Sequence, residues 1–265
     1  MDRKVTIKDV AREAGVSVAT VSYVVNNRTD LRISDATRKK VLQVINLLNY
    51  TPNQAAKALA TNRKNLLAII VSPDCSILKK AEQLQMIQFL SQFFNKKNFG
   101  LIYLDYNYNE KCEQADAIIC YDVSSTYFRQ LGDNNFIPLT ALDCMIDDPL
   151  FFQINTDYSM LLEKARSHFH GEPYQYVVLK TANKEKESFL KNMFADILFV
   201  DNYDDLRHIS GQNLLITEST LKSLLADKNN IYYLPSMSDA KAEALLQCIE
   251  NALQRTLIDQ HHILV

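Results

Sequence analysis

The chain has 265 residues, 47% of them hydrophobic, and a formal net charge of −2. That length suggests about two domains with real cores, and no apolar run approaches the roughly 20 residues of a membrane span. The near-neutral total hides an asymmetry: residues through Lys64 carry twelve Lys/Arg against five Asp/Glu, leaving +7 in front and −9 behind. A basic front end suits phosphate binding, and an acidic body suits solubility.

Thr6 precedes Ile7-Lys8-Asp9-Val10 and is placed to cap a first helix ending near Glu13, with Asp9 at the reciprocal position of a capping box. Gly15 falls where the chain must turn at positive φ, which glycine adopts without a Cβ clash. Ser17 then offers a hydroxyl to cap a second helix from about Val18 to Val25. Val10, Val21 and Val24 are spaced to share one core, and Ala11 sits where crossing helices leave room for a methyl group. This is the layout of a helix-turn-helix, whose second helix enters the DNA major groove. Ser34 caps a third helix with Val41, Ile45 and Leu48 on one face, ending near Tyr50 because Pro52 disfavours helical geometry at Thr51. Residues 53–60, NQAAKALA, have high helix propensity but span only about two turns, too few for a stable isolated helix.

The three segments VTIKDVAREAGVSVATVSYVVN, SDATRKKV and LNYTPNQAAKALA together resemble the DNA-binding headpiece and hinge of LacI-family bacterial transcriptional regulators. The resemblance runs nearly continuously over residues 5–60. It implies a headpiece over 1–51, a hinge over 52–63 and a regulatory and dimerisation domain over 64–265. It also implies roles for matching positions. Val18, Ala19 and Tyr23 take the base-reading positions, and Thr6, Ser17, Thr20, Ser22 and Asn26 the phosphate-binding ones, which set register without reading sequence. Asn53, Ala56 and Leu59 match a hinge whose paired helices enter the minor groove of operator DNA. Many members carry Arg at the position of Tyr23, where a guanidinium grips guanine; tyrosine cannot make that bidentate pair. The alternative for Tyr23 is packing on the DNA backbone. The loop between the second and third helices is about two residues longer than in the shortest members.

Behind the headpiece, Leu66–Val71 is a continuous apolar run, as a buried parallel strand requires. A helix over 79–96 ends at Gly100, and further strands are expected at 101–104, 117–120, 137–142, 176–179, 197–200, 214–217 and 231–234. Helices fit 157–169, 218–227 and 239–255, the last capped by Ser238. The alternation argues for a doubly wound α/β architecture. It resembles the family's two-lobed, periplasmic-binding-protein-like domain, shortened mainly between residues 180 and 236. Over residues 183–188 the family's arginine is missing, Ile216-Thr217-Glu218-Ser219 stands where the family's strand ends in an Asn-Asp pair, and Leu234-Pro235-Ser236 where its next strand ends in acidic residues. Only Asp143 is left as an effector-binding candidate, the alternative being a surface loop carboxylate.

Other constellations are sparse. Five glycines, against roughly 18 at about 7% usage, lie too far apart for a GxGxxG loop or a P-loop. Five scattered cysteines fit reduced thiols better than a disulfide framework or a zinc knuckle. His168-x-His170 is read as a solvated turn before a metal site, and Tyr103, Tyr106 and Tyr108 as edge packing before a stacking platform. No nucleophile elbow occurs, so no enzyme and no cofactor are expected; an enzyme with a DNA-binding appendage is the remote alternative. The start MDRKVTIKD has no apolar h-region, which points to the cytoplasm. The expectation is a homodimeric repressor of double-stranded operator DNA. Its body either senses a small-molecule effector or serves only dimerisation or a protein co-regulator.

Overall fold

The structure, a computed structural model, describes residues 5–25, 33–50, 63–73, 75–106, 108 and 111–265. They divide into two compact units, Met1–Lys64 and Asn65–Val265.

The first unit holds α1 (Ile7–Ala14), α2 (Val18–Val25) and α3 (Asp35–Leu47). Val10, Ala11, Ala14, Val21, Val24, Val41 and Val44 form its buried core, with Ile45, Leu48 and Tyr50 packed around it. Small side chains dominate because three short helices cross at close range. Val44, absent from the expected stripe, shares the inner face of α3 with Val41. That helix stops at Leu47, where Asn49 takes φ 47° and the Tyr50 N–H bonds back to the Ile45 carbonyl.

In the second unit, β1 (Leu66–Val71), β2 (Gly100–Tyr103), β3 (Ala117–Tyr121), β4 (Leu139–Leu142), β5 (Phe152–Asn155) and β10 (His262–Leu264) form one parallel sheet, in the order β10-β5-β4-β3-β1-β2. A second parallel sheet runs β7-β6-β8-β9, from β6 (Gln175–Leu179), β7 (Ile197–Val200), β8 (Asn213–Ile216) and β9 (Asn230–Tyr233). Each sheet is covered on both faces, as parallel sheets must be. On the first, α4 (Ile77–Lys96) and α9 (Asp239–Gln254) bury Leu90, Phe94, Leu245 and Ile249 on one side, and α5 (Ser125–Asn134) buries Phe128 and Leu131 on the other. On the second, α8 (Ser219–Leu225) faces one side, and α6 (Tyr158–His168) and α7 (Lys184–Met193) the other. The chain passes between lobes after β5 and returns between β9 and α9, so α9 and β10 complete the first lobe.

The eight expected strands and four expected helices are present, within a few residues at their ends. Gly100 opens β2 instead of closing the helix before it. Asn98, at φ 64°, makes that turn, and a Cβ on Gly100 would stand 2.7 Å from Leu66 Cδ2. Two strands, β5 and β10, two α-helices, α5 and α7, and a 3-10 turn at Tyr203–Leu206 were not anticipated.

Candidate nucleic-acid interface

The turn between α1 and α2 is set by Gly15, at φ 65° and ψ 34°. Its N–H reaches the Arg12 carbonyl (3.2 Å), and that of Val16 reaches Ala11 (3.0 Å), so the end of α1 is closed before the chain reverses. The Ser17 hydroxyl then accepts from the Thr20 N–H at 3.0 Å and meets the Thr20 hydroxyl at 2.9 Å, capping α2 as its position predicts. Burial of Val21 and Val24 turns the opposite side of α2 outward. Val18 is 41% exposed, Ala19 is exposed, and Ser22 and Tyr23 are half-buried on the same outer side. Three apolar or aromatic groups and the flanking hydroxyls of Ser17, Thr20 and Ser22 therefore share one convex face.

Thr6 and Asp9 form the capping box their positions predict. Its backbone N–H and its hydroxyl both donate to Asp9 Oδ2, at 3.0 and 2.7 Å, while Arg12 pairs with the other carboxylate oxygen at 3.1 Å. The Thr6 hydroxyl would have to leave Asp9 to donate to a phosphate. Asn26, Asn53, Ala56 and Leu59 lie outside the described residues, as does most of the loop after α2.

Asp143, the effector-binding candidate, is not a surface loop carboxylate. It follows β4 at φ 51°, is 3% exposed, and accepts from Lys241 Nζ at 2.6 Å. Burial would raise its pKa, but the charges of Lys241 and Lys186 outweigh that and hold it below the ordinary carboxylate range. Lys241 also reaches the Thr156 hydroxyl (3.0 Å) and the Ser236 carbonyl (2.9 Å), one on each interlobe crossover. The void beside Asp143 holds about 170 Å³, below the roughly 300–1,000 Å³ of ordinary ligand pockets. An outer interlobe groove of about 670 Å³ runs between Cys75–Leu78 and Lys180, Thr181 and Asp201–Tyr203, with Lys180 and Asp201 paired at 3.2 Å. Asp147 and Asp148 line a separate concavity of about 910 Å³ with Asp157, Glu185 and Asp259.

His168 stacks on Tyr232, rings 4.0 Å apart, and no grouping of metal-ligand type occurs among the described residues. Tyr106 stacks on Tyr127 at 3.7 Å and, with Tyr108, packs against the first lobe's core, whereas Tyr103 is exposed. All five cysteines carry free thiols, four of them buried. No helix among the described residues is long and apolar enough to cross a membrane.

The described residues thus form a helix-turn-helix unit and a two-lobed, doubly wound α/β unit. Residues 6–53 match the family described as "Bacterial regulatory proteins, lacI family". The chain is similar to the HTH-type transcriptional regulator DegA of Bacillus subtilis, at 55% identity over 73 residues, covering 28% of this chain and 21% of that one. It is also similar to catabolite control protein A of Staphylococcus epidermidis, at 29% identity over 227 residues, covering 82% and 64%. The chain thus spans less than two thirds of the length of these relatives. Among solved structures, the Lac repressor bound to ONPG in its repressed state matches with a TM-score of 0.60 at 15% identity, over 99% of this chain and 97% of that one. That likeness is one of fold.

Proposed function

We propose that this protein is a homodimeric repressor that binds double-stranded operator DNA through α2, acting in the cytoplasm. The observation that carries the reading is the outward face of α2, with Val18, Ala19 and Tyr23 raised above a core of Val10, Val21 and Val24. Those three read base edges, while Ser17, Thr20, Ser22 and Asn26, and Thr6 once released from Asp9, hold phosphates. The +7 charge through Lys64 supplies the salt-dependent part of the affinity. Asn53, Ala56 and Leu59 form the minor-groove hinge, and two-fold symmetry of the operator calls for two copies. The body begins at residue 64, supplies the dimer contact and serves dimerisation or a protein co-regulator. A second reading, a small-molecule effector between the lobes, is favoured by the outer groove of about 670 Å³.

Selection of binding sites from random DNA tests the assignment. A two-fold symmetric site is expected, without a guanine requirement opposite Tyr23, because a phenol cannot reproduce the paired donors of arginine. Tyr23→Arg should introduce such a preference, worth roughly 1–3 kcal/mol of discrimination. Equal retention of all sequences would overturn operator recognition, and a strong guanine requirement in the unmodified chain would overturn the role of Tyr23.

A further inference from the structure

In doubly wound folds, ligands settle outside the carboxyl ends of the strands, where strand order reverses. Here those ends carry Asp122 after β3, Asp143 after β4, Thr181 after β6, and Thr217 and Glu218 after β8, all of them buried. Much of the space between the two sets is taken up by the chain's own side chains, which leaves the void of about 170 Å³ beside Asp143. Lys79 of α4, 3% exposed, pairs with Asp122 at 3.0 Å, and the other oxygen of Asp122 accepts from the Thr181 hydroxyl of the opposite lobe. Asn183 spans the lobes with three bonds, to the Met145 N–H and carbonyl (both 3.1 Å) and to the Val123 carbonyl (3.2 Å). Lys186 of α7 donates to the Asp143 carbonyl at 3.3 Å, and Ser125 donates to Glu185 at 2.6 Å.

One contact closes this interface from the far side. The residue before α8, Glu218, makes no side-chain cap for that helix. The cap comes from Glu82 of α4, in the other lobe. Glu82 accepts the Ser219 N–H (3.1 Å), the Thr220 N–H (2.9 Å) and the Thr220 hydroxyl (2.6 Å), and the Ser219 hydroxyl lies within reach of both Glu82 and Gln85. A carboxylate on the free N–H groups of a helix start is a favourable, charge-assisted arrangement. Glu82 is itself 7% exposed, so these donors are what compensates its burial.

We infer that Glu82, together with the bonds that Asp122, Asn183, Lys186 and Ser125 make across the lobes, forms an interlobe latch that takes the place of a bound ligand and keeps the lobes closed in the ligand-free chain. A ligand shifts a two-state body only through its differential affinity for the two states. Bonds that exist in the closed state alone do the same work without one. If the DNA-binding reading holds, operator affinity is then set without an effector; the latch itself does not depend on that reading.

The test uses the full chain without DNA or added small molecules, by amide hydrogen exchange and small-angle scattering. The unmodified chain is expected to scatter as a closed body, with the Ser219 and Thr220 amides protected. Glu82→Ala should speed exchange of those two amides at least tenfold, raise the radius of gyration, and leave exchange in α1–α3 unchanged. Glu82→Gln, which keeps the volume and one acceptor oxygen, should shift both readouts in the same direction but less, and it carries the test should the alanine variant fail to fold. Glu172→Gln, at an exposed position, should change neither. Separated lobes in the unmodified chain, or unchanged exchange in the Glu82 variants, would overturn the latch. Loss of operator binding with the closed body intact would overturn only the DNA-binding reading.

Discussion

Glu218 gives the sharpest stability prediction. Its carboxyl group is 6% exposed at the end of β8 and accepts from the Leu179 N–H (3.3 Å) and the Thr217 hydroxyl (3.0 Å). Burial pushes its pKa from 4.5 up to about 7; Glu82 adds to the rise, while Lys79, Thr217 and Lys186 oppose it. The unfolded chain has released this proton above about pH 4.5, whereas the folded chain keeps it until about pH 7. The folded state therefore binds more protons in that window, and stability falls as pH rises through it. At about 1.4 kcal/mol per pH unit the full loss is about 3 kcal/mol, an upper figure for a group embedded among other charges. Glu218→Gln keeps the shape and an acceptor for Leu179 but cannot ionise. The variant should match the parent near pH 4.5 and exceed it by roughly 1–3 kcal/mol near pH 8, read from urea unfolding of both chains across that range. Parallel curves for the two proteins, with the same slope between pH 4.5 and 7, would refute the reasoning.

Two further substitutions probe the two units separately. Lys241→Met leaves Asp143 buried without its 2.6 Å partner and should cost roughly 3–5 kcal/mol. Replacing Asp143 with Asn in the same chain should recover most of that, and failure to recover would show that Lys241 contributes packing alone. Gly15→Ala meets no wall, since the nearest atom to a Cβ there is Lys40 Nζ at 3.7 Å. Its cost should be only that of the left-handed backbone, roughly 1–2 kcal/mol. That loss should be seen as faster amide exchange in α1 and α2 with the body unchanged.

The headpiece was legible because its signals are local. A cap, a turn glycine and a second cap lie within twelve residues, from Thr6 to Ser17, and each acts on neighbours three or four positions away. Long strands such as β1 announced themselves by continuous apolar runs. Strand β5 did not, because half of FQIN is polar: Gln153 and Asn155 face inward and bond the Ile146 N–H and the Cys144 carbonyl. Strand β10 has three residues, and α7, KEKESFLKNM, has the composition of a solvated surface. The interlobe cluster was invisible for a different reason. Lys79, Lys186 and Lys241 each sit in a helix where a lysine reads as exposed, and only the topology brings their heads against Asp122 and Asp143.

That topology also explains why the buried charges are arranged as they are. Paired buried ions seldom add net stability over apolar side chains of equal volume, because desolvation consumes most of the attraction. Their geometry, however, is strict: Asp143 and Glu82 are each satisfied only while particular donors stand opposite them. An apolar interface in the same place would tolerate sliding, whereas this one penalises it, since a shift of α8 away from α4 would leave Glu82 and two backbone N–H groups without partners in a dry interface. The crossovers are constrained in the same manner, Thr156 and Ser236 being joined through a single ammonium group on Lys241. Lobe motion in this body is therefore expected to be all-or-none instead of graded, with the bonds of Glu82 to Ser219 and Thr220 breaking together.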